Sequence, residues 1–227
     1  MQGVLFEHIE SGYAQYLHTQ SMHPYSQYIV HEDQKTVWII QTLNKEAYQE
    51  VVLPLLDSGF RDIHLKKAEE EYSITSKKVE TIEKKELLEE FYRDDYDDFF
   101  QTDFLSSTAF KKNGRYYILP DVRLVFQNLM NKYSATSERV DMVDEEMLGD
   151  IEEHVFVSRH RIQSTIFPIE GVNIPGFMGK VIFRVKSNHT LKRYIRLLLR
   201  FGEYSGIGIK TAMGMGAFRV NRGMNCE

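Results

Sequence analysis

Five of the fifteen residues from Gly202 to Gly216 are glycine, more than a single turn needs. Glycine lets a backbone approach a ligand closely and present successive N–H groups, an arrangement that suits phosphate. The flanks strengthen this reading. Leu191 to Phe201 has the spacing of an amphipathic helix and carries Lys192, Arg193, Arg196 and Arg200. Lys210 and Thr211 lie within the loop, and Gly216 to Val220 reads as a closing strand. Helix, loop and strand together predict a cradle for a polynucleotide backbone, with Gly206, Gly208, Gly214 and Gly216 along it. Two nucleotide motifs are excluded. A P-loop needs Gly-Lys-Ser/Thr opening a helix, whereas Lys210-Thr211 follows Ile209 and precedes a strand. A dinucleotide fingerprint opens the first βα turn of a parallel unit, whereas this loop follows a helix near the end of the sequence.

A net charge of -5 argues against a polyanion partner, but its distribution argues for one. Residues 1–158 hold 16 Lys/Arg and 30 Asp/Glu; residues 159–227 hold 12 and 3. The positive excess lies in the part that carries the glycine loop, as expected of a surface that meets nucleic acid. An apolar fraction of 42% is that of a globular chain with a buried core. No apolar run nears the roughly 20 residues of a membrane span. The opening Met-Gln-Gly-Val-Leu-Phe-Glu-His lacks the basic head and apolar stretch of a secretory signal. The lone cysteine, Cys226, provides neither an intrachain disulfide nor a cysteine metal cluster. The expectation is a cytoplasmic α+β protein with no cofactor, no metal and no membrane partner.

The elements are predicted in order. Residues 2–18 read as one helix, weakened at Gly12, and His23-Pro24 bars its continuation. Tyr25–His31 and Lys35–Leu43 read as a hairpin, Asn44 caps a helix through Leu56, and Phe60–Lys66 is a strand. Helix, strand, strand, helix, strand is a ferredoxin-like unit without its first strand. Residues 67–98 are acidic, with Glu69 to Glu71 and Asp94-Asp95, Asp97-Asp98 around a helix at 80–92. That run reads as a solvated connector, because a hard-cation site needs carboxylates that converge from fixed elements. A second unit starts at Phe99. Strand Phe99–Phe110, a type I′ turn at Asn113-Gly114 and strand Arg115–Leu119 form a hairpin. A helix follows from Pro120-Asp121 to Tyr133, then a polar helix or loop over 138–150. An alternating strand at 154–168, a turn at Pro175-Gly176 and a strand at Phe177–Val185 lead into the basic helix. The predicted boundaries are 1–98 and 99–227, two tandem ferredoxin-like (RRM-like) domains.

Of the eight histidines, none falls in a His-x-x-x-His or His-Glu-x-x-His zinc pattern. His18 and His23 flank a short loop at the end of the first helix. Imidazole titrates near neutrality, which suits general acid–base work; two exposed polar loop histidines fit the same spacing.

The run Phe201-Gly-Glu-Tyr-Ser-Gly-Ile-Gly-Ile-Lys-Thr-Ala-Met-Gly-Met-Gly-Ala217 resembles the glycine-rich signature of the CRISPR repeat-processing endoribonucleases, members of the RAMP superfamily. Gly3-Val-Leu-Phe6, Tyr16-Leu-His18 and His23-Pro-Tyr-Ser26 resemble the family's opening helix and its Leu-His and basic-Pro-aromatic-Ser elements. Ser107-Thr-Ala-Phe110, Tyr117-Ile-Leu-Pro120, Val125-Phe-Gln127 and Gly176-Phe-Met-Gly179 match its second half. The resemblance spans nearly the whole chain. It implies metal-independent cleavage within CRISPR repeat RNA, in which a 2′-OH attacks the adjacent phosphate to leave a 2′,3′-cyclic phosphate and a 5′-OH. His18 stands at the family's catalytic histidine, as general base or acid. His23 stands where relatives often carry lysine or arginine, as a second proton carrier or a charge on the phosphate. Phe6 departs from the tyrosine that some relatives place nearby. Lys192, Arg193, Arg196, Arg200, Lys210 and the loop glycines would hold the RNA backbone, and Arg159 and Arg161 would enter the groove of a repeat stem. Implied partners are repeat RNA and an effector complex, with the chain as monomer or homodimer. A non-catalytic RAMP subunit that binds guide RNA is the alternative.

Overall fold

The structure is a computed structural model, and it describes all residues except 34, 67, 94–96, 137–142, 170 and 222–227. Gln34, Asp94-Asp95, Cys226 and the start of the 138–150 segment therefore lie outside the described residues. The fold is α+β.

The predicted first helix is two. Helix α1 (Gln2–Phe6) and helix α2 (Ser11–Thr19) are separated at Glu10, whose carboxylate caps α2 by accepting from Gly12 N at 2.9 Å and Tyr13 N at 3.1 Å. Gly12 leaves room for that carboxylate, whose Oε2 would lie 2.8 Å from a Cβ there. Strands β1 (Tyr25–Glu32) and β2 (Lys35–Thr42) form the expected antiparallel hairpin, from Tyr25↔Thr42 to Glu32↔Lys35. Asn44 Oδ1 accepts from Ala47 N at 2.8 Å and starts α3 (Lys45–Ala47), which runs through a π turn (Tyr48–Val52) into α4 (Leu53–Leu56). Strand β3 (Asp62–Leu65) pairs with β4 (Glu70–Ser73), a strand in the acidic segment read as connector. Nothing in the local pattern marks β4 as a strand, since all four of its residues are exposed. Helix α5 (Lys84–Tyr92) follows. Among the described residues β2 and β3 belong to separate two-stranded sheets.

The second half holds the principal sheet. Strand β5 (Phe99–Thr108) is followed by the small hairpin β6 (Phe110–Lys112) and β7 (Arg115–Tyr117). Asn113 at φ 51° and Gly114 at φ 77° form the predicted turn. Helices α6 (Val122–Thr136) and α7 (Glu145–His154) lead to the long ribbon β8 (Val155–Ile169) and β9 (Val172–Val185). Helix α8 (His189–Ser205), capped by Asn188 Oδ1 on Leu191 N at 3.0 Å, and strand β10 (Phe218–Asn221) complete it. The sheet order is β10-β5-β9-β8, and all neighbours are antiparallel. The predicted turn at Pro175-Gly176 lies inside β9, and the ribbon reverses just before Val172, where Gly171 has φ 78°. Gly176 serves a close crossing instead: a Cβ there would meet Ser107 Oγ at 2.3 Å and Thr108 O at 2.8 Å.

Each half has its own apolar core. In the first, Leu5, Leu17, Tyr25, Val51 and Leu55 pack together, each fully buried aliphatic side chain contributing about 1.5–3 kcal/mol. In the second, Phe126, Leu129, Phe183, Ile195, Leu198 and Phe218 lie between the sheet and its helices. The halves interlock at Ala212, a residue of the glycine loop that packs into the core of the first half.

Candidate active site

Helix α2 buries Tyr13 and Leu17 and presents the exposed His18 in its last turn. Phe6, at the end of α1, stands beside it with ring centroids 5.2 Å apart. The place where some relatives are expected to carry tyrosine thus faces the histidine, but without a hydroxyl. His23 lies at the entry to β1, half-buried, its ring centroid 5.7 Å from that of Tyr25. Leu43 N donates to Pro24 O at 2.9 Å and fixes the backbone beside it. His23 Nδ1 is buried and has no hydrogen-bond partner among the described residues. Burial lowers the pKa of His23, and the Lys210 ammonium and the His18 imidazole lower it further. His23 is therefore held toward its neutral form, able to accept a proton.

Lys210 reaches this place from the other half of the chain because the glycine loop packs on β1. Ser26 Oγ donates to Tyr204 O at 2.7 Å, and Gln27 Nε2 donates to Ala212 O at 2.6 Å. Trp38 Nε1 donates to Gln27 Oε1 at 2.8 Å and holds that amide in orientation. The backbone at Lys210 is left-handed (φ 57°, ψ 31°) and opens a 3₁₀ turn, Thr211–Met213. Beneath it lies Lys132 of α6, a buried lysine. Its Nζ donates to Ser205 O at 3.0 Å, Gly206 O at 2.9 Å and Thr211 Oγ1 at 3.1 Å. The C-terminal carbonyls of α8 are thus capped by an ammonium, where the helix dipole favours positive charge. Burial lowers the Lys132 pKa to about 7.

The glycines have a different use from the one expected. Gly206 N donates to Gly202 O at 2.8 Å, Gly208 N to Asn128 Oδ1 at 2.8 Å, and Gly216 N to Ser107 O at 2.9 Å. Gly214 N donates to Thr211 O at 3.4 Å. These four amides are used within the chain, so they do not form an open row of N–H groups toward a phosphate. Close packing explains the glycines. A Cβ on Gly216 would lie 1.9 Å from Ile207 O, and one on Gly208 would lie 2.3 Å from Ala109 O.

The profile of the CRISPR-associated endoribonuclease Cas6 family matches residues 102–218. A relative from Streptococcus thermophilus, a CRISPR-associated endoribonuclease Cas6, is 33% identical over 218 residues, which cover 96% of this chain and 88% of the relative. The chain belongs to the Cas6 family. A Mycobacterium tuberculosis Cas6 is 38% identical over 221 residues, 97% of this chain and 70% of its own length. Among solved structures, a Cas6 product complex aligns with a TM-score of 0.80 at 19% identity, covering 97% of this chain and 91% of that one. Thermus thermophilus Cas6 aligns at 0.70 and 20% identity, covering 97% and 89%. At these identities the structures share the fold.

In this Cas6-family chain the basic residues singled out in the sequence fall into three places. Lys210 lies near enough to His23 for its charge to lower the His23 pKa. Arg159 and Arg161 are exposed on β8 and lie two residues apart on one face. Arg161 stands opposite Lys180 of β9, a like-charge pair that costs stability unless an anion lies over it. The α8 cations are half-buried, because α8 packs on α5, α6 and β10. Lys192 pairs with Asp98, and Arg200 pairs with Glu203 and lies over the Tyr204 ring at 5.3 Å. Sequence reasoning missed Lys180, Gln27 and Lys132. For Lys132 a signal existed: it falls three residues after Leu129 and seven after Val125, on the apolar face of its helix.

Proposed function

We propose that this Cas6-family chain cleaves CRISPR repeat RNA in precursor transcripts to release guide RNAs, without a metal ion. The 2′-OH upstream of the cut attacks phosphorus, forming the O2′–P bond as the P–O5′ bond breaks. The products are a 2′,3′-cyclic phosphate and a 5′-OH. An internal nucleophile needs no activated water; the step calls for a base for the 2′-OH, an acid for the 5′ oxygen and positive charge on the phosphate. His18 and His23 take the two proton-transfer roles. The observation that carries the reading is the packing of β1, the strand that His23 precedes, against the glycine loop of the other half. The exposed cationic face of β8 supports contact with a repeat stem.

The same proposal reads residues 1–98 and 99–227 as tandem ferredoxin-like domains. The sheet order β10-β5-β9-β8 over the element order strand, helix, strand, strand, helix, strand supports the second. Delivery of the product RNA to an effector complex, by a monomer or homodimer, belongs to this proposal.

The test is cleavage of a repeat RNA in EDTA by wild type, His18→Ala and His23→Ala, with binding measured alongside. The reading expects cutting by wild type, a large loss in both variants with binding retained, and a cyclic phosphate end. Wild-type binding without cutting would instead assign the chain to the non-catalytic RNA-binding subunits, a reading that Phe6 beside His18 keeps in view.

A further inference from the structure

The arrangement of the two histidines leaves one requirement unmet. In-line attack places extra negative charge on the non-bridging oxygens of the phosphorane, and preorganised positive charge there is a principal source of acceleration. A protonated His23 would supply that charge. His23 is instead half-buried, and its Nδ1 has no partner among the described residues to stabilise an imidazolium. The groups facing it are His18 of α2, Tyr25 of β1 and Lys210 of the loop.

We propose that Lys210, carried on the glycine loop of the second half, is the third catalytic group of this site. Its ammonium contacts a non-bridging oxygen of the scissile phosphate, while His18 and His23 move the protons. The inference rests on the RNA-cleavage reading above.

Four observations support this assignment. Lys210 is exposed, and no carboxylate among the described residues pairs with it, whereas Lys192 and Arg200 are committed to Asp98 and Glu203. Its backbone holds an uncommon left-handed conformation for a lysine. That conformation is fixed on both sides. Ile209 N donates to Ala109 O at 3.0 Å, and Lys210 O accepts from Met213 N at 2.9 Å and Met215 N at 3.3 Å. Thr211 is gripped by Lys132, and Ala212 by Gln27 of β1. The loop is thus clamped to the strand that His23 precedes, and the Lys210 charge lies near enough to His23 to lower its pKa. The protons are carried by the histidines: the 2′ proton goes to one, the 5′ oxygen takes a proton from the other, and Lys210 takes no part in proton transfer.

The site is therefore composite. Its proton carriers come from residues 18 and 23 and its cation from residue 210, so cleavage depends on the docking of β1 onto the loop.

The test uses the full chain and a repeat RNA that wild type cuts, under single-turnover conditions at saturating protein in EDTA. Binding is measured on the same RNA with 2′-deoxyribose at the cut nucleotide. Lys210→Ala is expected to lower the saturated rate by about 100-fold, the scale of one oxyanion donor. Lys210→Gly, which suits the left-handed backbone, is expected to match it, and Lys210→Arg to recover most of the rate. Removing the cation also raises the His23 pKa, so the acid limb of the rate profile in Lys210→Gly moves to higher pH. Weaker binding with a wild-type saturated rate would make Lys210 a backbone anchor only and overturn the proposal. An arginine variant no faster than alanine would overturn it too. Failure of wild type to cut would refute the cleavage reading itself.

Discussion

Replacing Lys132 by methionine removes one charge and keeps the length of the stem. In the native structure the ammonium donates to Ser205 O, Gly206 O and Thr211 Oγ1. The Gly206 carbonyl retains a donor, because Ser205 Oγ lies 2.9 Å away. The Ser205 carbonyl is deprived of its charged donor while it remains buried, at about 1–3 kcal/mol for an orphaned group. The missing bond at Thr211 adds to this, and relief of the desolvated ammonium offsets part of it. The net expectation is about 2 kcal/mol, which for a chain of this size lowers Tm by roughly 4–8 °C. Measurement at pH 6 keeps the wild-type ammonium protonated, since its pKa is about 7. Hydrogen exchange supplies the local readout: amides of Gly206 to Gly208 and Gly216 should exchange roughly thirty-fold faster, as 2 kcal/mol requires. A change in stability under about 0.5 kcal/mol, with loop protection intact, would refute the claim that this ammonium caps α8.

Gly216→Ala places a Cβ 1.9 Å from the Ile207 carbonyl at φ 73°, so a loss of about 3 kcal/mol or more is expected in urea unfolding; near-wild-type stability would show that the loop adjusts. Arg159→Ala with Arg161→Ala should reduce the salt slope of repeat-stem binding by about 1.8, or roughly 0.9 for each phosphate left without its arginine, and an unchanged slope would remove these residues from the interface. His23 is protonated in the unfolded chain below about pH 6.5, but in the folded chain only at lower pH, because its pKa is lowered. Acidification below about pH 6.5 therefore favours unfolding, until the folded-state pKa is passed. In His23→Asn this part of the pH dependence should vanish, and parallel stability curves for the two proteins would contradict the burial argument.

Features with local causes were legible in the sequence. Asn113-Gly114 predicts a type I′ turn, and both residues adopt positive φ. The apolar spacing of Val122 to Tyr133 predicts α6, which buries Val125, Phe126, Leu129 and Met130. Features that depend on a distant partner were not. β4 is a strand because β3 pairs with it, although its residues, Glu-Glu-Tyr-Ser, are all exposed. Pro175-Gly176 carries a turn signal, yet Gly176 exists for the passage of Thr108.

The candidate site divides in the same way. The glycine run and the charge distribution pointed to a polyanion surface, whereas the spacing of His18 and His23 left plain loop histidines open and only the family resemblance singled them out for acid–base chemistry. Only the tertiary structure decided that the glycine amides are used internally, that Lys192 and Arg200 are paired, and that Lys210 lies near His23. The physical reason is that spacing reports only on near neighbours in the chain. The Gln27 side chain and the Ala212 carbonyl, 185 positions apart and 2.6 Å from each other, are joined by packing alone.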